Sequence, residues 1–186
     1  GSHGRSCGKE YPHEESVRIP AIFNAPDIVS AVGSSDGLFS LVDLLPTTLG
    51  LCGLRVPEYC QGVDWSPLLR GSRFEGPREV LLEMVGNPRW NLNFLDWRGI
   101  VTERWKYAHY ENGIEQLFDL VNDPYERCNL ASDAPLRRRE MRDHLLDLLD
   151  RTNEPFYQIV MRHPSAHPYQ DMDVSEPSGP GRHPGL

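Results

Sequence analysis

The stretch RWKYAHYENGIEQLFDLVNDP, residues 104–124, decides the fold of this 186-residue chain. It contains two short runs typical of β-strands, 106–111 and 116–120, which are rich in aromatic residues. Glu111-Asn112-Gly113 stands between them and predicts a hairpin turn, because Asn-Gly adopts positive φ at little cost. Asn122-Asp123-Pro124 then ends the second strand in a turn. The stretch therefore predicts an antiparallel pair of strands.

Two further strands are predicted upstream of this pair, at 80–84 and 99–103, and a helix is predicted downstream, at 134–151. Asp133 is placed to cap the helix, and Pro135 fits its first turn. The predicted apolar face of the helix consists of Leu136, Met141, Leu145, Leu148 and Leu149. Residues 78–152 are accordingly predicted to form an α+β unit, an antiparallel sheet with one packed helix.

The first 77 residues carry a different pattern. The run 17–23, apolar except for Arg18 and interrupted by Pro20, predicts a strand that is buried on both faces. A second helix is predicted from Asp43 as N-cap to a stop at Gly53, with Leu45, Leu49 and Cys52 on its apolar face. Because these elements have no obvious partners nearby, we expect an exposed apolar surface on residues 17–54. Residues 153–186 are assigned to a tail rich in Pro and Gly. From His163 on, 24 residues include five Pro and three Gly, and this part cannot bury much surface.

Composition excludes two classes of partner. The net charge is −8, whereas a surface for nucleic acid or an anionic membrane needs clustered Lys and Arg. The longest uncharged apolar stretch, 44–54, contains Pro46 and two glycines and is far short of the ~20 residues that cross a bilayer. We therefore expect no nucleic acid partner and no membrane span.

The four cysteines lack the spacing of a zinc site. They allow three disulfide pairings of Cys7, Cys52, Cys60 and Cys128. Cys52 and Cys60 are close enough to bridge a loop, and free, partly buried thiols are an equally good interpretation. The redox compartment therefore stays open.

The candidate functional residues lie near the start of the chain. The Gly8-Lys9 step places an ammonium group on a polar loop that backbone can approach closely, and His3 and His13 flank it. Glu14 and Glu15 are adjacent, and in an extended segment their side chains would point to opposite faces. We therefore interpret these two glutamates as structural rather than as a catalytic pair.

Five sequence motifs, which follow one another along the chain in the order typical of the family, resemble the C-terminal third of the sulfatase family, within the alkaline phosphatase superfamily. The resemblance runs from Gly1 to about Asp150, and Gly1-Ser2-His3-Gly4 also matches the family pattern, so we interpret these residues as native. The motifs are Gly8-Lys9 with 13–20 (HEESVRIP), 43–47 (DLLPT), 104–107 (RWKY), 117–126 (LFDLVNDPYE) and 129–131 (NLA).

The resemblance implies an α/β plus α+β architecture. Residues 1–77 would be the incomplete C-terminal part of the large α/β domain, and 78–152 the antiparallel sheet-plus-helix subdomain, so the chain would start within an enzyme. It implies that Lys9 contacts the sulfate group, where a fixed ammonium stabilises charge on the nonbridging oxygens. His3 and His13 are candidate substrate-binding residues, and His13 stands where the family commonly has Tyr.

The implied activity is hydrolysis of a sulfate ester or sulfamate, on a small molecule or a carbohydrate, to sulfate and alcohol. The family uses Ca²⁺ and a formylglycine made from a C/S-x-P-x-R motif. None of the four cysteines fits that motif, and the family's calcium ligands precede this region, so we expect this chain to be inactive alone. Two alternatives stay open: a phosphohydrolase or phosphonate monoester hydrolase of the same superfamily, and a non-catalytic truncated module. Compartment and oligomeric state stay open as well.

Overall fold

A four-stranded antiparallel sheet forms the centre of the molecule in a computed structural model that describes residues 9–31, 33–85 and 95–162. The strand order follows the sequence, β1-β2-β3-β4. The turn between β3 and β4 contains Gly113 at φ +86°, as the Asn-Gly signal predicts. The antiparallel sheet is therefore confirmed. The strands are β1 (Glu79–Met84), β2 (Trp97–Thr102), β3 (Trp105–Tyr110) and β4 (Glu115–Asp119).

One face of the sheet packs against two helices, α4 (Pro135–Arg151) and α5 (Tyr157–Arg162). The helix predicted at 134–151 is thus confirmed, but two details were wrong. Ala134 occupies the N-cap position without a side-chain cap, and Leu136 is 78% exposed. The apolar core between sheet and helices consists of Ile100, Tyr107, Leu117, Ala131, Met141, Leu145, Leu149, Phe156 and Val160.

The opposite face of the sheet is covered by residues 9–17, which we call the N-terminal segment. This segment includes a short helix, α1 (Glu14–Val17). Val17 packs on a second apolar cluster that contains Trp97, Ala108 and Tyr110. The indole N–H of Trp97 donates a hydrogen bond to the Glu10 carbonyl at 2.7 Å. The sheet thus lies between helix α4 and the N-terminal segment.

The predicted buried strand at 17–23 was wrong. Val17 ends α1, and residues 18–25 have no regular secondary structure. Ile19 and Ile22 are 58% and 89% exposed. Pro20 cannot donate to a sheet, and no described strand lies beside this run to pair with it. No strand occurs among the described residues of 9–77, so the α/β assignment of residues 1–77 stays a prediction.

The second helix, α2, spans Leu44–Leu51, and a 3₁₀ turn at Leu41–Asp43 precedes it. Asp43 does not cap α2 with its side chain. Its buried carboxylate instead accepts hydrogen bonds from the backbone N–H groups of Ser40 and Val63 and from the Trp65 indole, at 2.9, 2.7 and 3.1 Å. A short helix, α3 (Ser66–Leu69), follows.

The predicted apolar face of α2 was also wrong. Pro46 and Thr47 are the buried residues of α2, whereas Leu45 is 51% exposed and Cys52 is exposed. The expected exposed apolar surface on residues 17–54 is present. Its large side chains are Ile19, Ile22, Ile28, Leu41, Val42, Leu44, Leu45 and Leu54.

The cysteines that the structure describes are free thiols. Cys52 and Cys128 are exposed, Cys60 is partly buried, and no bridge joins Cys52 to Cys60. Cys7 and residues 163–186, most of the predicted tail, lie outside the described residues. No helix in the described ranges is both long and apolar enough to cross a membrane.

The free energy of unfolding depends on pH through an ion pair between Arg104 and Asp119. Arg104 Nη2 lies 2.7 Å from Asp119 Oδ2. Hydrogen bonds to Asp119 from Arg104, and then from Asn122, lower the pKa of this carboxyl from 3.8 to about 2. Because the folded pKa lies below the unfolded one, its stabilisation is complete above about pH 5 and is lost as the pH falls towards 2. We expect the difference in free energy of unfolding between wild type and Asp119→Asn to shrink over that range in urea titrations. A difference that stays constant with pH would contradict this assignment.

Candidate functional site

The N-terminal segment carries two of the three candidate site residues. Lys9 is exposed, and its ammonium donates a hydrogen bond to the backbone carbonyl of Glu15. His13 is only 6% exposed, and its ring lies against Phe118 of β4 with ring centroids 5.6 Å apart. His3 lies outside the described residues. The structure thus places Lys9 at the surface of the segment and His13 against the sheet, and their roles stay predictions.

A buried group of three charged residues fastens this segment to the sheet. The Lys106 ammonium lies 2.5 Å from a carboxylate oxygen of Glu14 and 2.8 Å from one of Glu126. The second oxygen of Glu126 accepts a hydrogen bond from the Glu14 backbone N–H at 2.7 Å. The Lys106 and Glu126 side chains are fully buried. We call Glu14, Lys106 and Glu126 the Lys106 cluster.

Two observations show that the Lys106 cluster is costly to build. Burial raises the pKa of the Glu126 carboxyl, and Lys106 opposes that rise. Glu126 also has φ +51°, a left-handed conformation that costs a residue with a Cβ atom about 1–2 kcal/mol. Glu126 follows a turn in which its N–H donates to the Asp123 carbonyl at 3.0 Å. Backbone strain and desolvation therefore accompany the placement of this carboxylate.

The sequence did not point to Lys106 or Glu126. The 104–107 motif was interpreted as a strand that packs its aromatics on the core, which holds for Tyr107 at 0% exposure. Side chains alternate between the two faces of a strand, so Lys106 faces away from Tyr107. In a strand that is covered on both faces, the residues between the aromatic side chains are buried as well. This alternation is the sequence pattern that could have indicated the burial of Lys106.

The interpretation of Glu14 and Glu15 needs one correction. Both lie in α1 rather than in an extended segment. Glu14 turns into the Lys106 cluster, whereas Glu15 is exposed. Arg18 lies 3.9 Å from Glu14 with its side chain 79% exposed. A helical backbone rather than an extended one thus places Glu14 in contact with Lys106, and its interpretation as structural stays a prediction.

The family resemblance implies calcium ligands that precede this region, and the described residues form no metal site of their own. Within 9–31, 33–85 and 95–162, no group of three or more His, Cys, Asp or Glu side chains is placed to hold a metal ion. The carboxylates of the 119–123 turn have other partners. Asp119 binds Arg104 and Asn122, and Asp123 accepts a hydrogen bond from the Cys128 N–H at 2.9 Å. We derive no chemical step through calcium from these residues.

Comparison with known proteins identifies the region. Residues 1–154 match the family described as N-sulphoglucosamine sulphohydrolase, C-terminal. An ulvan-active sulfatase of Formosa agariphila is 32% identical over 127 residues, 68% of this chain and 25% of that protein. A Delta 4,5-hexuronate-2-O-sulfatase of Bacteroides thetaiotaomicron is 30% identical over 156 residues, 79% of this chain and 31% of that protein.

Solved structures agree with this identification. The crystal structure of yidJ from Bacteroides fragilis superimposes with a TM-score of 0.61 at 28% identity, covering 73% of this chain and 30% of that one. This chain therefore spans about a quarter to a third of the length of the relatives it matches. The match over residues 1–154 and the sheet-plus-helix architecture together show that this chain belongs to the C-terminal region of the sulfatases of the alkaline phosphatase superfamily.

Proposed function

We propose that this chain works as the C-terminal region of a sulfatase that hydrolyses a sulfate ester or sulfamate to sulfate and alcohol. The observation that carries the proposal is the family match over residues 1–154, which includes the Gly8-Lys9 step. The nucleophile and Ca²⁺ that the family resemblance implies would come from the rest of the enzyme. This region contributes one wall of the active site.

Lys9 is the residue proposed to act on the substrate. Sulfuryl transfer leaves negative charge on the nonbridging oxygens of the sulfate group, and a fixed ammonium next to them lowers the barrier. A lysine ammonium has three donors, so Lys9 can keep its hydrogen bond to the Glu15 carbonyl while it donates to a sulfate oxygen. That bond would hold the ammonium at a defined position on the N-terminal segment.

His3 and His13 are proposed to shape the substrate pocket. His13 adjoins Glu14 of the Lys106 cluster, and its ring packs against Phe118. This packing fits a role in the shape of the pocket wall better than a role in proton transfer, because a base must reach the proton that it moves.

We further propose a sulfated carbohydrate as the substrate class. The support is the activity of two relatives, one an ulvan-active sulfatase and the other a hexuronate-2-O-sulfatase. A sugar sulfate and a small aryl sulfate share the group that Lys9 would contact, so this choice concerns the rest of the pocket. Assays with both substrate types decide between them.

The exposed apolar surface on residues 17–54 is proposed to pack against the remainder of the sulfatase. Eight large apolar side chains are exposed there, and exposed apolar side chains that form one patch mark an interaction site. The relatives are three to four times as long as the part that this chain matches. We therefore propose that the remaining polypeptide of the sulfatase covers this apolar surface.

The 186-residue chain alone should show no turnover of 4-nitrophenyl sulfate, whereas a complete sulfatase carrying this region should hydrolyse it.

The chain contains one formal match to C/S-x-P-x-R, Ser178-Gly179-Pro180-Gly181-Arg182. This match lies after residue 154, where the family match ends. We therefore expect Ser178→Ala to leave the activity of the complete enzyme unchanged.

The complete enzyme also decides between the alternatives. Faster hydrolysis of 4-nitrophenyl phosphate or of a phosphonate monoester than of any sulfate ester would replace the proposed activity with a phosphohydrolase activity. Turnover of sulfate esters by the purified 186-residue chain would show that this region does not need the rest of a sulfatase.

A further inference from the structure

A continuous series of contacts joins the interior of the sheet to Lys9. Lys106 on β3 and Glu126 after β4 both contact Glu14, the first through its carboxylate and the second through its backbone N–H. The next residue, Glu15, accepts a hydrogen bond from the Lys9 ammonium through its carbonyl. Only two residues of the chain, Glu14 and Glu15, therefore separate the Lys106–Glu126 pair from the candidate catalytic ammonium.

A gain in the free energy of unfolding does not by itself explain the Lys106 cluster. A buried ion pair is weak evidence for stability, because well-packed apolar side chains of similar volume do as well or better. Here a fully buried lysine is paired with a carboxylate on a left-handed residue, Glu126. What such a cluster does supply is a single geometry, since each charge must find its partner and cannot slide as an apolar contact can.

The N-terminal segment makes further contacts with the sheet. The Trp97 indole binds the Glu10 carbonyl, and His13 packs against Phe118 by ring contact. The first is a hydrogen bond to a carbonyl near the start of the segment, and the second is a contact between two rings. The Lys106 cluster is the charged, buried anchor among the contacts described, and it lies next to the residue that holds Lys9.

We propose that Lys106 and Glu126 are positioning residues of the sulfatase site, which fix Glu14 and thereby set the position of the Lys9 ammonium. The inference rests on the proposed function. Neither residue touches the substrate. Both act through Glu14 and the Glu15 carbonyl, and an error of about 1 Å in the position of a catalytic group can lower a rate about a hundredfold.

The variant that tests this inference is Glu14→Gln in a complete sulfatase carrying this region. It removes the ion pair between the segment and Lys106 but leaves the Lys106–Glu126 pair in place, so the fold should survive. We expect kcat to fall about tenfold with KM changed less than about twofold, because the lost interaction acts in the transition state. Glu126→Gln, which keeps an acceptor for the Glu14 N–H, should behave in the same way.

A double-mutant cycle separates positioning from a general structural role. If Glu14 acts through Lys9, adding Glu14→Gln to Lys9→Ala should lower kcat no further, because residues that act as a unit are not additive. Arg104→Gln is the matched control, since it breaks an ion pair of the same sheet that joins Arg104 to Asp119 and not to the segment. It should leave kcat unchanged.

Hydrogen exchange in the 186-residue chain gives a readout without activity. The amides of Ser16, Val17 and Arg18 donate to the carbonyls of His13 and Glu14. They should exchange faster in Glu14→Gln and Glu126→Gln, while the amides of β2, β3 and β4 keep their protection. Unchanged exchange at 16–18 would overturn the inference.

The outcomes also separate this inference from the proposed function. Loss of activity in Lys9→Ala together with full activity in Glu14→Gln would overturn the positioning role and leave the function standing. Effects of the two variants that simply add would overturn it as well. A complete enzyme that does not hydrolyse sulfate esters, or one that tolerates Lys9→Ala, would overturn the proposed function and this inference with it.

Discussion

Replacing Lys9 with alanine in a complete sulfatase carrying this region should lower kcat about a hundredfold. The ammonium is proposed to stabilise charge on the sulfate oxygens, and removing one such preorganised donor costs about 3 kcal/mol of transition-state stabilisation. Folding should hardly change, because Lys9 is exposed and its hydrogen bond is to a carbonyl of its own segment. Steady-state kinetics with a sulfate ester and thermal melting measure the two effects.

The matched control for Lys9→Ala is Arg104→Ala. Arg104 is also an exposed cation, but its partner is the carboxylate of Asp119, and it lies just before β3 and outside the N-terminal segment. Its loss should leave kcat nearly unchanged. If Lys9→Ala kept more than about half of the wild-type kcat/KM, an effect well below the ~1.4 kcal/mol of a tenfold change, the assignment of Lys9 to the substrate would be wrong.

The sheet and α4 could be predicted because their signals are local. Asn112-Gly113 sets the turn between β3 and β4, and the predicted strand ends lie within one or two residues of the observed ones. The stripe of Met141, Leu145 and Leu149 follows the helical period, and all three are buried. Such patterns depend on neighbouring residues, so no knowledge of distant contacts is needed.

The N-terminal half shows where this reasoning stops. The apolar run 17–23 resembles a strand by composition, but a strand needs a partner, and the run contains Pro20. Asp43 looks like a helix cap, yet its carboxylate binds groups of Val63 and Trp65. These contacts join residues that are far apart in the sequence, and no local sequence pattern predicts them.

The candidate site divides in the same way. The Gly8-Lys9 step and His13 could be found by their resemblance to a family motif. The Lys106 cluster could not be found in this way, because a lysine in a strand is expected at the surface and the partners of Lys106 come from α1 and from the chain after β4. Burial of a charge depends on what the tertiary structure places around it.

Lys106→Met should therefore be the most destabilising single substitution of a charged residue in the set of Lys9, Glu14, Arg104, Lys106, Asp119 and Glu126. Methionine has a similar volume, so packing changes little, but Glu14 and Glu126 would face each other at the buried site without a cation. Removing one partner of a buried ion pair costs about 3–5 kcal/mol. Urea unfolding of the 186-residue chain, followed by tryptophan fluorescence, measures this loss.

The triple variant Lys106→Met, Glu14→Gln, Glu126→Gln gives the decisive comparison. Because it removes all three charges and keeps the shapes, it should recover most of the stability lost in Lys106→Met, as neutral replacements of whole buried ion pairs do. Arg104→Met should cost clearly less than Lys106→Met, because the Arg104 side chain is 52% exposed and Asp119 keeps its hydrogen bonds from Asn122. A loss below about 1 kcal/mol in Lys106→Met, typical of an exposed pair, would show that water reaches the cluster. The buried anchor of the N-terminal segment would then have to be sought elsewhere.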